Sequence, residues 1–297
     1  MADHISEYHN TADVTALVLT KDEEKNITDC LLSLKGFAQR VVVVDSGSND
    51  RTVEIAKELG ADVFVHPFEN YSRQFNWGID HTGITTKWTL RFDADERLTP
   101  ELCTELRQLM DLHSDDDVTG VTMEAWLYFL GKKIRHGCHN KRKIMLFKTG
   151  VGRIEDRRMD EHTILLSGRT VCAKNRFIHY DFKDLTRWIH KMNWYATREM
   201  QDYIEYINGK TPEIHGNDAV VSAVRKKKFG FYYKFPLFIR CWLLFIYNYI
   251  FRLGFLDGKE GFVYHWMYHR WYRTLVDAKI LEQLITNRPF EETGDLK

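Results

Sequence analysis

The sequence predicts an α/β fold with a mostly parallel central sheet, followed by a helical, amphipathic C-terminal extension. Between residues 14 and 95, short apolar runs alternate with helical patterns, and most of these runs end in polar turn residues. Residues 219–256 contain seven basic residues and no acidic one, and twelve aromatic residues lie between 229 and 255. The 297-residue chain is 44% hydrophobic with zero formal net charge, which excludes a disordered tail and a fibrous repeat.

The alternation predicts the order of the elements. Four consecutive valines at 41–44 are typical of a strand buried on both faces. Apolar residues from Ile27 to Leu34 recur at the spacing of one helix face, and Pro100 suits the first turn of another helix. The predicted strands are 14–19, 41–44, 62–65, 88–92, 118–123 and 144–147. The predicted helices are 27–34, 52–59, 70–80, 100–110 and 183–207.

Carboxylates follow three of the first four strands, where open parallel sheets collect their ligands. The strongest signal is the Asp-Ala-Asp sequence of Asp93 and Asp95 at the end of the fourth strand. Two carboxylates at this spacing can reach one hard cation, Mg2+ or Mn2+, and leave positions open for phosphate oxygens. The alternative is an acidic turn that caps the next helix. A phosphatase-like nucleophile is disfavoured, because the pair follows the fourth strand and continues into Glu96 and Arg97.

A second polar loop begins at Asp45, directly after the four valines. A carboxylate there can accept hydrogen bonds from a base or a ribose hydroxyl, and Gly47 permits a tight turn. The alternative is an ordinary turn with Asp50 as the N-cap of the next helix. Because the sequence lacks a Gly-x-Gly-x-x-Gly motif, nicotinamide-type dinucleotide binding is disfavoured, whereas other nucleotide binding stays open.

The five cysteines are scattered and never paired as Cys-x-x-Cys, so the sequence predicts neither a disulfide framework nor a thiolate zinc site. The first residues show no basic stretch followed by an apolar one, and we expect a cytoplasmic protein.

The basic, aromatic segment predicts contact with a membrane surface. Its apolar run at 235–255 is interrupted by Arg240, Asn248 and Arg252 before it reaches the ~20 residues that a bilayer span needs. A helix lying among anionic headgroups, with cations beside the lipid and rings such as Trp242 at the boundary, fits this composition. The alternative is a helical pair packed on the core. Nucleic acid is not expected as a partner, because the net charge is zero and apolar residues separate the cations.

Several motifs, in this order, resemble those of family-two glycosyltransferases. They are the segments 20–24, 41–52, 73–76 and 92–96. Further segments are similar to the branch that contains lipopolysaccharide inner-core beta-glucosyltransferases, namely 146–148, 160–162, 178–180 and 251–262. The order and spacing of the motifs are more specific than any one of them.

The resemblance implies a GT-A-type nucleotide-sugar domain over residues 1–218 and a membrane-associated region over 219–297. It implies a metal-dependent, inverting transfer of a hexose, glucose in the similar branch, from a UDP-sugar. The implied acceptor is a saccharide hydroxyl of a lipid-linked glycan such as lipopolysaccharide core heptose, at the cytoplasmic face of the inner membrane.

The resemblance also implies roles for individual residues. Asp45 would face the base, Asp22 or Glu23 would lie near the nucleoside, and Asp93 would lie near the ribose. The residues expected to bind the donor are Thr20, Asp22, Glu23, Asp45, Ser46, Arg73, Asn76, Asp93 and Arg142. Asp95 would bind the metal ion with Asp93, and His179 is a candidate third ligand in preference to His162.

The catalytic base is expected to be an acid placed after the sheet. The chain reads Asp160, Glu161, His162 where the similar branch has His-Glu, so either acid qualifies and we favour Glu161. The competing interpretation makes Glu161 a surface acid paired with Arg157 or Arg158.

Two other classes of function use the same sequence features. A nucleotidyltransferase would use the same carboxylates and release pyrophosphate. A non-catalytic membrane adaptor would keep only a relic of the nucleotide pocket.

Overall fold

The computed structural model describes residues 11–137, 142–155, 161–180, 184–209 and 232–288. The chain divides into two compact units, the first made of residues 1–126 and 140–179 and the second of 127–139 and 180–297. The expected boundary at residue 218, between a nucleotide-sugar domain and a membrane-associated region, stays a prediction.

The described residues form eleven strands and eight α-helices. The strands are β1 (Ala12–Thr20), β2 (Ala38–Asp45), β3 (Asp62–Val65), β4 (Trp88–Asp93), β5 (Glu96–Arg97), β6 (Val118–Phe129), β7 (Lys132–Ile134), β8 (Arg142–Lys148), β9 (Gly152–Ile154), β10 (Thr163–Leu165) and β11 (Arg169–His179). The helices are α1 (Ile27–Leu34), α2 (Thr52–Glu58), α3 (Tyr71–His81), α4 (Pro100–Leu112), α5 (Leu185–Ile207), α6 (Ile239–Ile246), α7 (Gly258–His265) and α8 (Arg273–Thr286).

The first unit is built on a mixed sheet in the order β3-β2-β1-β4-β8-β6-β11-β5. Strands β3, β2, β1 and β4 are parallel, whereas β8 pairs antiparallel with both β4 and β6. The middle of β2 is fully buried because the side chains of Val43 and Val44 pack into cores on opposite faces of the sheet. The predicted α/β class is confirmed, and the sheet is parallel on the side that carries the first two polar loops.

Two helices of this unit begin at caps that the sequence encodes. The Asn70 side chain accepts a hydrogen bond from the Arg73 amide (2.8 Å) at the start of α3. Thr99 accepts from the Leu102 amide at the start of α4, whose first residue is Pro100. Such caps satisfy amides that the helix itself leaves unpaired, and they fix where each helix starts beyond a strand.

The second unit packs α5 against α8 around a core of mixed aromatic and aliphatic residues. A π-helical turn, Tyr247–Phe251, continues α6, and a second one, Trp266–Tyr272, joins α7 to α8. No single helix among the described residues is long and apolar enough to cross a membrane. By length and composition alone, one pair of helices bent by 70°, Ile239–Phe251 and Gly254–Thr286, could do so.

A buried ion pair fixes the rotation of α6 about its axis. The Arg240 guanidinium donates to Asp277 Oδ1 on α8, with Nε at 2.8 Å, and both side chains are 1% exposed. Asp277 Oδ2 accepts from the Phe238 amide at 2.7 Å. The sequence placed Arg240 among the cations that would face lipid. That expectation is wrong, because its partner 37 residues later draws it into the protein interior.

A buried histidine lies where α7 meets the loop after β7. His265 Nε2 donates to the His136 carbonyl (3.2 Å), so its Nδ1 accepts from His269 Nδ1 at 3.0 Å. A Cβ on Gly254 or Gly137 would come within 2.4 or 2.5 Å of the His265 ring, so two glycines make room for it.

The charges of Asp257 and Arg252 act on the pKa of this histidine. Burial lowers the pKa of His265 to about 4, and the Arg252 charge acts in the same direction. The hydrogen bond to the His136 carbonyl and the Asp257 carboxylate oppose the shift. Asp257 itself accepts from the amides of Arg135 (2.9 Å) and His136 (2.8 Å), so it also anchors this loop.

Candidate active site

The loop after β2 is organised by the Asp45 carboxylate. Its Oδ2 accepts from the amides of Gly47 (2.8 Å) and Ser48 (2.7 Å), and its Oδ1 accepts from the hydroxyls of Thr20 (2.9 Å) and Ser48 (2.6 Å). Asp45 is fully buried. The carboxylate therefore shapes the loop and ties it to the end of β1. Direct contact of Asp45 with a base would need these bonds to rearrange, and the predicted contact stays a prediction.

The loop after β1 closes against the same turn. Asp22, at a positive φ of 52°, accepts from the Asn49 amide (2.8 Å) and donates its own amide to the Ser48 hydroxyl (2.8 Å). The Glu23 amide donates to Thr52 Oγ1 at 2.7 Å. The two polar loops predicted at adjacent strand ends are thus brought together, because parallel neighbouring strands end at the same sheet edge.

The segment 73–76 sends its polar side chains in different directions. Arg73 is largely exposed and forms an ion pair with Glu69. Asn76 instead bonds the backbone of Ile154, donating to its carbonyl (2.8 Å) and accepting from its amide (3.0 Å). Donor binding by both residues stays a prediction, and Asn76 holds β9 against α3.

Gln74, to which the sequence analysis gave no role, is the member of this segment that reaches the loop after β2. It is buried and donates to Ser46 Oγ (3.1 Å) and to the His66 carbonyl (3.0 Å). Gln74 lies on the buried face of α3, next to Phe75. Its position on that face could have predicted a hydrogen-bond partner, since buried amides need partners.

Asp93 is held by Tyr71, which is itself held by Arg91, and the sequence predicts no site role for either residue. The Tyr71 hydroxyl donates to Asp93 Oδ1 (2.8 Å) and accepts from Arg91 Nε (3.0 Å). The Arg91 guanidinium lies 4.7 Å from the centroid of the Tyr71 ring. Desolvation raises the pKa of Tyr71 well above its ordinary value of 10.0, so the phenol remains a hydrogen-bond donor.

The same arginine links Asp93 to the hairpin formed by β9 and β10. Arg91 Nη1 donates to Thr163 Oγ1 (3.1 Å), and this hydroxyl donates to the Ile144 carbonyl (2.8 Å). Glu161, the predicted base, is partly buried two residues before Thr163. Hydrogen bonds therefore connect one member of the Asp-Ala-Asp sequence to the strand that Glu161 precedes. Asp160 lies outside the described residues.

Asp95 and His179 meet although they lie far apart in sequence. Strand β5 pairs antiparallel with β11, with His179 opposite Glu96, and His179 Nε2 lies 3.5 Å from Asp95 Oδ2. A carboxylate oxygen and an imidazole nitrogen at this separation suit two ligands of one divalent ion. In the described part of the chain, no group of three or more His, Cys, Asp or Glu side chains could hold a metal ion.

The carboxyl of Glu96 lies behind this pair. It is buried and accepts from the Asp93 amide (3.0 Å). Burial raises the pKa of Glu96 to about 8, assisted by the Asp93 and Asp95 charges and opposed by His179 and Lys143. Glu96 is therefore largely protonated near pH 7, and the negative charge at the end of β4, which favours a cation there, comes from Asp93 and Asp95.

The basic residues Arg142 and Lys143 have different partners. Arg142 donates to Glu124 Oε1 on β6 (2.8 Å), and Arg176 also pairs with Glu124 (2.6 Å). The Lys143 charge opposes the rise in the pKa of Glu96. Lys141 lies outside the described residues. Donor binding by Arg142 stays a prediction.

Residues 15–153 match the family model described as Glycosyl transferase family 2. The chain is 26% identical over 296 residues to an uncharacterized glycosyltransferase of Rickettsia bellii, covering 97% of this chain and 92% of that protein. A second uncharacterized glycosyltransferase, from Rickettsia typhi, is 26% identical over 201 residues, which cover 65% of this chain and 68% of that protein.

Two solved structures are also similar. Glucosyl-3-phosphoglycerate synthase from Mycobacterium tuberculosis, in complex with Mn2+, UDP and glucosyl-3-phosphoglycerate, aligns with a TM-score of 0.31 and 20% identity. The alignment covers 39% of this chain and 44% of that chain, less than half its length. TarS 1–349 of S. aureus aligns with a TM-score of 0.45 and 14% identity, covering 94% of this chain and 93% of that one.

The mixed sheet with polar loops at its edge, together with the match over residues 15–153, defines the class. Residues 15–153 are similar to a family 2 glycosyltransferase domain, and the protein is a glycosyltransferase.

Proposed function

We propose that this glycosyltransferase transfers a hexose, glucose by resemblance, from a UDP-sugar to a hydroxyl of a lipid-linked glycan, with inversion. The observation that carries the proposal is the meeting of Asp95 and His179 beside the end of β4. Lipopolysaccharide core heptose is the proposed acceptor, and the cytoplasmic face of the inner membrane is the proposed location.

The nucleoside is proposed to bind at the edge formed by the two polar loops. Thr20, Asp45 and Ser48 form one hydrogen-bonded unit, so the backbone around Ser46 is fixed before the donor arrives. Preorganised polar groups lower the entropy lost on binding. Asp93, held by Tyr71 with one oxygen engaged, has a second oxygen that can accept from a ribose hydroxyl.

The donor set of Asp95 and His179 fits a divalent cation, as the similar mycobacterial synthase was crystallised with Mn2+. Bound there, Mg2+ or Mn2+ would supply positive charge to the leaving diphosphate. The carboxylate of Asp95 and the imidazole of His179 would hold the ion, and the Asp93 carboxylate adds negative charge beside them.

Glu161 is proposed to accept the proton from the acceptor hydroxyl as that oxygen attacks the anomeric carbon. The C1–O bond to the diphosphate breaks as the new bond forms, and UDP leaves. The bonds of Arg91 to Thr163 and of Asn76 to Ile154 support this role, because they hold the hairpin on which the base must be positioned.

The first experiment is a thermal-shift panel of nucleotide sugars with and without Mn2+. UDP-sugars should stabilise the protein only with metal, and Asp95→Ala should abolish that stabilisation. Asp115→Ala is the matched control, since Asp115 is an exposed loop carboxylate. Metal-dependent UDP-sugar binding by Asp95→Ala would make the site assignment wrong.

The second experiment separates binding from chemistry. Glu161→Gln should keep donor affinity while turnover falls by about 10²-fold or more, the size of effect expected for a general base. Glu101→Gln, on the exposed face of α4, is the control. Equal activity of Glu161→Gln would exclude Glu161 as the base. Release of pyrophosphate rather than UDP would indicate a nucleotidyltransferase.

A further inference from the structure

The helix that begins with α6 exposes apolar residues along one side. Their spacing follows i, i+3, i+4 and i+7, continuing through the π turn. We name this set the exposed stripe: Ile239, Trp242, Leu243, Ile246, Tyr247, Ile250 and Phe251. Phe251 is 73% exposed, although a side chain of this size is normally buried.

The stripe continues onto the next segments of the second unit. The Trp242 ring lies 6.1 Å from that of Trp266 after α7, and Phe262 stacks on Trp266 at 6.0 Å. Further exposed apolar residues in the intervening bend are Leu253, Phe255 and Leu256. Exposed large apolar residues gathered in one place mark an interaction surface, whereas single ones are ordinary.

This helix cannot bury the stripe by rotating. Its opposite side is held by the buried bonds of Arg240 and the Phe238 amide to Asp277, and Cys241 Sγ lies 3.1 Å from the same carboxylate. Turning the stripe inward would break this ion pair and leave the Asp277 carboxylate buried without its partner.

The ends of this helix carry bulky residues in backbone conformations that favour glycine. Phe238 has φ 65° and Leu253 has φ 61°, and both side chains are at least one-third exposed. Folding alone would favour glycine at both positions, since neither side chain gains full burial in exchange. Apolar side chains at these two positions are explained if a binding partner buries them.

The charges beside the surface are basic. The described residues 232–256 include no acidic residue, and the Arg270 guanidinium lies 4.1 Å from the centroid of the Trp242 ring. Lys259 is 92% exposed and lies 3.9 Å from Glu260, which also pairs with Lys132, and Asp257 is buried. A second copy related by twofold symmetry would set the same basic rim against itself. An anionic surface is the better complement.

We propose that the exposed stripe and the bend after it form a membrane-docking surface, which inserts into the headgroup region of a bilayer containing anionic lipid. The helix Ile239–Phe251, at 13 residues, is too short to span, and α8 packs Val276 and Ile280 into the core of the second unit. The helix therefore lies in the plane of the membrane. This deepens the membrane location in the proposed function, but it does not depend on sugar transfer.

The test uses the full chain and sedimentation with vesicles of phosphatidylethanolamine and phosphatidylglycerol, or of phosphatidylcholine alone. Wild-type protein should sediment with the anionic vesicles and much less with the neutral ones. The variant Ile246→Gln, Ile250→Gln, Phe251→Gln should lower the vesicle partition coefficient by about tenfold or more, because apolar area leaves the lipid boundary.

A control variant removes three exposed apolar side chains of the first unit, Val65→Gln, Leu112→Gln and Leu166→Gln. It should sediment as wild type does. Unchanged sedimentation of the stripe variant overturns the proposal. So does equal loss in both variants. Light scattering that shows a wild-type dimer and a monomeric stripe variant would identify a second copy as the occupant.

Leu253→Gly keeps the test interpretable if the triple variant folds poorly. It should raise the midpoint of thermal unfolding, because glycine relieves the positive φ, and at the same time lower vesicle binding. A raised midpoint with unchanged vesicle binding contradicts the proposal. Metal-dependent UDP-sugar stabilisation, measured without vesicles, should be the same in the wild type and the triple variant, so failure of the sugar-transfer proposal is detected separately.

Discussion

Tyr71→Phe removes one oxygen atom from the hydrogen bonds that connect Asp93 to the β9–β10 hairpin. The hydroxyl now donates to Asp93 (2.8 Å) and accepts from Arg91 (3.0 Å). Each bond joins a charged group, and such bonds contribute about 1.5–3 kcal/mol to stability. Because the two bonds share one oxygen atom their contributions do not add in full, and the ring contact with the guanidinium survives, so we expect the unfolding free energy of the first unit to fall by about 2–4 kcal/mol.

The assay combines urea unfolding with amide hydrogen exchange. Exchange should accelerate in β10, because Arg91 would hold Thr163 less rigidly once its Nε acceptor is gone. Tyr247→Phe is the control, since Tyr247 is half exposed, and its effect should stay within about 0.5 kcal/mol. A wild-type midpoint together with wild-type exchange in Tyr71→Phe would refute the reasoning.

Three further predictions concern the second unit, each followed by urea unfolding and near-UV circular dichroism. Asp277→Ala should lower the unfolding free energy by about 3–5 kcal/mol, since it leaves Arg240 buried and uncompensated, and Arg240→Met with Asp277→Leu should restore part of the loss. His265, with a folded pKa of about 4 against 6.5 unfolded, stabilises the fold above pH 6.5, and this contribution is lost as the pH falls towards 4. At about pH 5 the loss should be about 2 kcal/mol, and a His265→Gln variant with the same pH slope would contradict it. Gly254→Ala should cost about 1–3 kcal/mol, because its Cβ would lie 2.4 Å from His265 Nε2, and an unchanged midpoint would exclude that contact.

The helices and strands that the sequence predicted in the first unit are present, because each depends on a local pattern. The valines of β2, the periodic residues of α1 and Pro100 at the start of α4 act within one element. The two polar loops were also predictable as neighbours, since a parallel sheet brings the ends of its strands to one edge.

The partners within the site were not predictable in this way. Gln74, like Arg73 and Asn76, is a polar residue of the same motif, yet only Gln74 of these three hydrogen-bonds to the loop after β2 in the described structure. Which side chain of a helix meets which loop depends on the rotation of that helix over the sheet, and its spacing alone cannot decide this.

The sequence by itself determined the class of fold, the order of the elements and the carboxylates that end the strands, because periodicity and turn chemistry act over a few residues. Only the tertiary structure decided that Tyr71 holds Asp93, that Asn76 binds Ile154 and that Arg240 is buried. These pairs are separated by 22, 78 and 37 residues. A hydrogen bond or ion pair forms where packing brings two groups within about 3 Å, and the chain must fold before that proximity exists.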